Sequence, residues 1–355
     1  DPERTTCPVA WREGKAVSQQ QFLRDIRALA DRLPDASHAL NLCEDRYRFM
    51  IAFAAVCLRG QTNLLPPSQA IGVIGEIATA YPGCYMLIDS ACPDLPLSRI
   101  VVGDNDEMTS YPTPQMIPLL PEQHVAALVF TSGSSGAPQA HPKTWRNLVQ
   151  TARLAAQRFI GSAAANIVAT VPSQHMYGLE TTVMMALAGG CAAHGGRAFF
   201  PADLRRALQH MPSPRVLVTT PVHLRACIAT ALPFPPLDLI ICATAPLEPE
   251  LAAAAEAALG APLFEIYGCT EAGSMAWRRT VETPIWQFYP GMHLSRRGGV
   301  DFVHGEHLDA PVALPDMVED LGQGRFRLCG RRTDMLKVGG KRSSLGELSA
   351  RLLRI

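Results

Sequence analysis

A short polar loop at residues 131–136, Thr-Ser-Gly-Ser-Ser-Gly, carries residue types that could bind phosphate. It follows directly on the apolar run at residues 125–130, which predicts a buried strand, and a helical pattern begins at about Lys143. The loop offers four hydroxyl groups and many free backbone N–H groups, with no bulky side chain to keep an anion away. A strand, a small-residue loop and a helix start are typical of phosphate-binding sites. The alternative is a flexible surface linker, which rarely follows directly on a buried apolar strand.

Two further polar loops follow apolar runs later in the chain. Residues 243–247 end one run, and their backbone could lie against a flat ring. Residues 267–271 end the next, where Tyr267 can stack on a base, Thr270 can bond a phosphate oxygen and Glu271 can hold a hard cation such as Mg²⁺. Taken alone, the glutamate would equally fit a helix cap or a solvent-facing position. Because open α/β sheets bind ligands beyond the carboxyl ends of their strands, we expect the three loops to share one site.

The spacing of apolar residues predicts strands alternating with helices, which is typical of a layered sheet with mainly parallel strands. A Pro- and Asp-rich connection at residues 89–121 is the predicted internal seam. From residue 273 to about 329, short alternating strands predict a small β-barrel or β-meander. Helices are predicted at residues 18–33, 45–59, 143–159, 180–188, 202–211, 221–231 and 248–259. The predicted fold class is α/β, with mostly parallel sheets plus a small β-barrel.

The composition excludes several classes of protein. Lys and Arg balance Asp and Glu at 32 each, so there is no electrostatic basis for binding nucleic acid or an anionic membrane. No apolar run approaches the roughly 20 residues of a membrane span, and no signal peptide follows Asp1. The ten cysteines are scattered without a C-x-x-C pair, and Cys57, Cys227 and Cys242 lie in apolar runs. We interpret them as small buried hydrophobic residues of a cytoplasmic protein.

Taken together, these loops and several other segments resemble the adenylate-forming superfamily. That superfamily contains acyl-CoA synthetases, aryl-CoA ligases, peptide-synthetase adenylation domains and luciferase. The resemblance covers nearly the whole chain and is carried, in order, by residues 131–138, 172–178, 243–247 and 267–271, Asp316, and residues 330–342. It implies a layered αβαβα large adenylation domain at residues 1–330. Residues 331–355 would form the hinge and the start of a small C-terminal domain that is largely absent from this sequence.

The resemblance also implies a role for each segment. The residues implied to bind ATP are Thr131, Ser132, Gly133, Ser134, Ser135, Gly136, Ala245, Pro246, Tyr267, Gly268, Asp316 and Arg331. The implied catalytic residues are Lys143, His175, Thr270 and Glu271, and the implied Mg²⁺ ligand is Glu271. His175 would be a gate beside the acyl pocket, although an ordinary loop histidine is the simpler interpretation.

The sequence departs from the family pattern at several positions. The phosphate loop of the family usually continues Pro-Lys-Gly, whereas Gln139 and Ala140 stand here. Lys143 lies four residues beyond Gln139 and could restore the positive charge. Thr333 stands at the hinge pivot, where Asp or Lys is common. The small C-terminal domain of the family carries a catalytic lysine, and Lys337 and Lys341 are interpreted instead as solvated turn charges.

The implied reaction is ATP-dependent activation of a carboxylic acid through an acyl- or aryl-adenylate, with ATP and Mg²⁺ as cofactors. The acyl group would then pass to a pantetheine thiol, on CoA or on an acyl carrier protein. The variant at positions 139 and 143 resembles ligases found with aryl-polyene (xanthomonadin) pigment genes, which favours a hydroxybenzoate-like aromatic acid. No general base is required, because the acid is ionised near pH 7. The oligomeric state, monomer or homodimer, stays open.

Two other functions remain open at this stage. A non-catalytic nucleotide-binding or scaffold member of the same fold would keep the loops without the reaction. An amidase-type serine hydrolase would use Ser134 or Ser135 with a lysine well upstream, for which Lys15 is the first candidate. A Walker-type NTPase is excluded, because the sequence contains no G-x-x-x-x-G-K-[ST] motif.

Overall fold

The structure, a computed structural model, describes residues 8–90, 94–103, 117–132, 137–161, 164–230, 232–331, 335–338 and 341–344. Within these ranges the strands form two large sheets, a separate three-stranded sheet and a two-stranded ribbon. Helices connect most of the parallel strands. No helix in these ranges is long and apolar enough to cross a membrane. The predicted α/β class with mostly parallel large sheets is confirmed, and a small separate three-stranded sheet stands in the region where a small β-barrel was predicted.

The bounds of the elements are as follows. The strands are β1 (Pro8–Arg12), β2 (Lys15–Ser18), β3 (His38–Asn41), β4 (Thr62–Leu65), β5 (Tyr85–Ile88), β6 (Arg99–Val101), β7 (Val125–Ser132), β8 (Pro138–Thr144), β9 (Asn166–Ala169), β10 (Ala192–His194), β11 (Arg215–Thr219), β12 (Leu239–Cys242), β13 (Leu263–Cys269), β14 (Gly273–Arg278), β15 (Trp286–Phe288), β16 (His293–Arg297), β17 (Val300–His304), β18 (Val312–Ala313), β19 (Asp316–Gly322), β20 (Arg325–Arg331), β21 (Met335–Val338) and β22 (Lys341–Ser344). The helices are α1 (Gln19–Ala30), α2 (Arg46–Leu58), α3 (Ile71–Ala80), α4 (Trp145–Phe159), α5 (Met176–Gly178), the π-helix π1 (Leu179–Met184), α6 (Met185–Ala188), α7 (Pro201–Gln209), α8 (Pro221–Ala229) and α9 (Pro249–Leu259).

The two large sheets share a parallel core with antiparallel additions. The six-stranded sheet has the order β6-β5-β3-β4-β7-β8, and only β8 runs antiparallel to its neighbour. The eleven-stranded sheet has the order β19-β20-β15-β14-β13-β12-β11-β9-β10-β1-β2, with parallel pairing from β13 to β1. Parallel strands need helices over their faces, which explains their near-continuous apolar character.

Helix α2 joins the cores of the two sheets. Its apolar residues lie on all sides, and ten of its thirteen residues are buried. Phe49 and Phe53 are fully buried and stack with ring centroids 6.3 Å apart. The helix contacts β3 and β4 of one sheet and β10 of the other, and a helix that is apolar all round is suited to such a place. At its first turn, the buried Arg46 donates to the carbonyl oxygen of Val171 at 2.7 Å, just beyond β9.

The segment after the Gly/Ser loop differs from the prediction. Residues 138–144 form strand β8, which pairs antiparallel with β7, and residues 133–136 of the loop between them lie outside the described residues. Helix α4 begins only at Trp145, where Thr144 and Asn147 form a capping box. Lys143 thus lies on a strand rather than at a helix start. The predicted strand at 125–130 is confirmed and extends two residues further, to Ser132.

The helix predicted at residues 180–188 is longer and irregular. It begins at Met176 and contains the π-helical turn π1 between α5 and α6. The hydroxyl of Tyr177 anchors this segment by donating to the carbonyl oxygens of Ile241, at 2.9 Å, and Thr219, at 3.2 Å. Since π-helical turns are rare and often occur at functional sites, this segment is a candidate for function.

The β-rich region from residue 273 divides between two sheets. Strands β14, β15, β19 and β20 extend the eleven-stranded sheet in antiparallel fashion, while β16, β17 and β18 form the separate three-stranded sheet. Of the predicted connection at residues 89–121, the structure describes β6 and its flanks, and residues 91–93 and 104–116 lie outside the described ranges. Cys57, Cys227 and Cys242 are buried free thiols, as interpreted from their apolar surroundings.

Candidate active site

A cavity of about 610 Å³ opens where several strands end. Thr131 and Ser132 line it at the end of β7, Thr244 lines it just beyond β12, and residues 268–270 line it at the end of β13. The loop at 172–178 closes another side through His175. The structure therefore brings the ends of β7, β12 and β13 to one cavity, at the carboxyl edge where α/β sheets bind ligands.

The predicted site residues fall into three groups by their position. Those that line the large cavity are Thr131, Ser132, His175, Gly268 and Thr270. Those that line an adjacent cavity of about 170 Å³ are Lys143 and Glu271. Those that line neither are Ala245, Pro246, Tyr267 and Asp316. Residues 133–136 and Thr333 lie outside the described residues, as do the side chains of Arg331, Lys337 and Lys341.

Lys143 is a buried cation beneath the 267–271 segment. Only 4% of its surface is exposed, and its Nζ donates to the carbonyl oxygen of Glu271 at 2.6 Å. Burial lowers its pKa, whereas the carboxylates of Glu180, Glu271 and Asp309 act in the opposite direction. The lysine therefore joins strand β8 to the loop after β13 and places positive charge at the wall of the smaller cavity.

His141 was not predicted as a site residue, yet it connects two that were. Its Nε2 lies 3.0 Å from the hydroxyl oxygen of Thr131, and its Nδ1 lies 4.0 Å from Oε1 of Glu271. Burial lowers its pKa, and the carboxylate of Glu271 opposes that shift. His141 and Lys143 share one face of β8, since side chains two residues apart on a strand point the same way. Recognition of β8 as a strand would have revealed that these two side chains share a face.

Glu180 is a second residue that the sequence did not reveal. It lies in π1, is 1% exposed and lines both cavities. Its Oε2 accepts hydrogen bonds from the hydroxyl of Ser274, at 2.6 Å, and from the backbone N–H of the same residue, at 3.0 Å. Burial raises its pKa to about 7. Gly273 must be glycine here, because its φ is +78° and a Cβ atom would stand 2.3 Å from Oε1 of Glu180.

Tyr267 and Asp316 are directly connected. The tyrosine hydroxyl donates to Oδ2 of Asp316 at 2.9 Å, which links the end of β13 to the start of β19. The ring is 8% exposed and packs against Trp286 and Phe326, with centroids 5.5 Å and 5.7 Å away. The tyrosine is therefore fixed from two sides. The two residues were predicted as nucleotide ligands from separate segments, and here they form one unit.

His175 stands at the entrance to the irregular helix. It is half-buried, lines the large cavity and precedes the first residue of α5. Burial lowers its pKa, so its imidazole is neutral near pH 7. A neutral ring of this size suits a gate or a wall, and it offers no fixed positive charge to a phosphate.

A comparison with protein families assigns the chain to one family. Residues 38–295 match the model of the family described as AMP-binding enzyme. The chain belongs to that family. The match includes the ends of β7, β12 and β13 and the irregular helix from Met176.

Curated relatives are 4-coumarate–CoA ligases from two bacteria. The chain is 30% identical over 235 residues to that of Rhodobacter capsulatus, and the match covers 65% of this chain and 59% of that protein. It is also 30% identical over 280 residues to that of Halorhodospira halophila, with coverages of 78% and 67%. The matched part thus spans less than two thirds of the Rhodobacter protein.

Solved structures share the fold at low identity. The O-succinylbenzoate Coenzyme A synthetase from Bacillus subtilis, in complex with ATP and magnesium ion, superposes with a TM-score of 0.78 at 17% identity. That match covers 96% of this chain and 80% of the synthetase. A malonyl-CoA ligase with methylmalonyl-CoA and AMP bound gives a TM-score of 0.77 at 22% identity, with coverages of 99% and 84%.

Proposed function

We propose that this chain binds ATP and a carboxylic acid in an AMP-forming acid–thiol ligase. The ligase would join the acid to the α-phosphate of ATP as an acyl- or aryl-adenylate, release pyrophosphate, and pass the acyl group to a pantetheine thiol. The observation that carries this proposal is the convergence of the ends of β7, β12 and β13 on one cavity, in a chain of the AMP-binding enzyme family.

The electrostatics of this reaction suit the residues of the site. A carboxylate and a phosphate that approach to 4 Å repel each other by about 4 kcal/mol at an effective dielectric constant near 20. The hydroxyls of Thr131, Ser132 and Thr270 can donate toward phosphate oxygens, and Lys143 supplies a buried positive charge. Donors held in place before the reaction stabilise the charge that develops in the transition state.

Glu271 is the proposed ligand of Mg²⁺. Mg²⁺ is usually held by one or two carboxylates together with substrate phosphates, and no cluster of three or more metal-binding side chains occurs among the described residues. A single carboxylate therefore fits Mg²⁺ that arrives with ATP, which would neutralise phosphate charge. The carboxylate lies 4.0 Å from His141, and Lys143 holds its backbone, so both neighbours orient the loop.

An aromatic acid is the proposed substrate, with CoA or an acyl carrier protein as acceptor. The large cavity is lined by apolar side chains, among them Val129, Phe130, Val171, Met176 and Phe199. A flat ring fits such a wall, and two curated relatives are 4-coumarate–CoA ligases, named for an aromatic acid and for CoA. The hydroxybenzoate-like acid and the aryl-polyene ligase type are proposed from the variant at positions 139 and 143.

The proposed organisation assigns residues 1–330 to the large adenylation domain and residues 331–355 to the hinge and the first part of a small domain. Ala245 and Pro246, which we propose contact the adenine ring, are exposed and follow Thr244 of the cavity wall, and Asp316 lines neither cavity. We propose that a nucleotide bound in the cavity extends far enough to contact these residues.

A cytoplasmic location is proposed because the described cysteines are free thiols.

The hydrolase alternative has no support in the described residues. Its candidate lysine, Lys15, is exposed on β2, the edge strand of the eleven-stranded sheet. The Gly/Ser loop instead follows β7 of the six-stranded sheet. A non-catalytic member of the family is distinguished from the ligase only by measuring the reaction.

The test is the exchange of labelled pyrophosphate into ATP by the full-length protein. We expect exchange that depends on both the acid and Mg²⁺, with aromatic acids such as 3-hydroxybenzoate and 4-coumarate as the best substrates. Reactions without acid are the control. Binding of MgATP with no exchange for any aryl, cinnamoyl or fatty acid would contradict the ligase and favour the non-catalytic alternative.

A further inference from the structure

Glu180 occupies a place that the proposed chemistry does not use. It lines both cavities, as Met176 does, and it lies 1% exposed in the π-helical turn. Burial of a carboxylate is costly unless partners satisfy it, and the pKa of Glu180 is raised to about 7 as a consequence. Its hydrogen bonds come from Ser274, and the positive charge of the buried Lys143 acts on it. A residue of this kind at a cavity wall is a candidate for ligand binding.

The hydrogen bonds of Glu180 are unevenly distributed between its two oxygens. Oε2 accepts two bonds from Ser274, of 2.6 Å and 3.0 Å. Oε1 receives only a longer contact of 3.3 Å from the same backbone N–H. A carboxylate has about four acceptor positions, so Oε1 can accept at least one further donor. A glutamine carbonyl would accept the hydrogen bonds from Ser274 without burying a charge. The carboxylate therefore has hydrogen-bond acceptor capacity that its protein neighbours do not use.

The charge around Glu180 favours a neutral donor over a cation. Lys143 is buried nearby, and the attraction between them opposes the pKa shift of each. When both groups are ionised, their charges balance. A substrate ammonium group would add an unbalanced positive charge, whereas a hydroxyl group adds only a hydrogen-bond donor. The walls of the same cavity are apolar at Val171, Met176 and Ile266, which suits the body of an aromatic acid.

We propose that Glu180 is a specificity residue of the acid-binding cavity and that its carboxylate accepts a hydrogen bond from a hydroxyl group on the acid. This inference rests on the proposed ligase function and narrows its substrate class to hydroxylated aromatic acids. A site with a buried acceptor discriminates strongly against an analogue that lacks the donor, because the acceptor is then left unpaired. Ser274 is the positioning residue that aims the carboxylate.

The experiment compares matched acids in the pyrophosphate exchange assay with the full-length protein. The pairs are 3-hydroxybenzoate with benzoate, and 4-coumarate with cinnamate. For at least one pair, we expect the wild-type kcat/KM to favour the hydroxylated acid by about tenfold or more. Glu180→Leu should reduce that ratio to about one, and Glu180→Gln, which keeps a carbonyl for Ser274, should give an intermediate ratio. Ser274→Ala should also reduce it.

The ratio separates recognition from a structural role. If Glu180 only supports the fold, its variants lower kcat/KM for both members of a pair alike and leave the ratio unchanged, which would overturn the inference. Equal use of both members of each pair by the wild-type protein would overturn it without any variant. A lack of exchange with every acid tested would contradict the ligase proposal itself. The two failures are therefore distinguishable.

Discussion

Replacement of Lys143 by alanine should lower adenylate formation by about 10²–10³-fold, which is the usual loss when one prearranged donor is removed from a charged transition state. The lysine donates to the carbonyl oxygen of Glu271 and is 4% exposed. Its removal would leave Glu180 buried without a nearby cation and would free the loop that carries Thr270. The measurement is pyrophosphate exchange at varied MgATP, from which kcat and KM are taken separately.

Two further variants make this prediction specific. Lys143→Met keeps the apolar stem without the charge and should lose as much activity as alanine, with less change in melting temperature. Gln139 lies on the same strand at an exposed position, and Gln139→Ala should change activity by about twofold or less. A strong loss for Gln139→Ala and a weak one for Lys143→Ala would mean that the phosphate-binding charge lies elsewhere in the loop.

Glu271→Gln should reduce exchange by about 10²–10³-fold, since a metal ion contributes several kcal/mol of charge stabilisation in reactions of phosphates. The substitution removes the charge that would hold Mg²⁺ but keeps the size of the side chain and the backbone carbonyl that Lys143 contacts. The Mg²⁺ concentration for half-maximal exchange should also rise. The assay is a magnesium titration at fixed ATP, in wild type and variant.

A matched control is available for this substitution. Glu306→Gln changes an exposed glutamate that lines neither cavity, and it should leave both the rate and the magnesium dependence unchanged. If Glu271→Gln lowers the rate while the magnesium dependence stays that of the wild type, the carboxylate acts through His141 or the loop rather than on the metal.

The parts of the fold that the sequence made visible are the apolar parallel strands and the loops that end them. Strand β7 was predicted within two residues of its end, because a run buried on both faces has a clear apolar signature. Strand β8 was not recognised. It contains Pro138 and Pro142, which are expected to disrupt a strand, but it is an edge strand of its sheet, where proline is tolerated.

The site was predictable where it follows strand ends and invisible where it depends on distant partners. Glu180 appeared as one residue of an ordinary helix, and its partner Ser274 lies 94 residues away in the sequence. No periodicity links two such positions. His141 was missed for a related reason, since its alignment with Lys143 appears only once β8 is known to be a strand. Burial in the folded structure reveals both residues, and the π-helical turn additionally marks Glu180.

The most direct test of the central claim is a crystal structure of the full-length protein with MgATP or a non-hydrolysable aryl-adenylate analogue. We predict the ligand in the large cavity at Thr131, extending past its wall to Ala245 and Glu271, with phosphate against the Gly/Ser loop and the metal at the carboxylate of Glu271. The aryl group should lie toward Glu180. A nucleotide bound outside this cavity, or a bound nucleotide that leaves residues 131–136 and 267–271 without contact, would contradict the account.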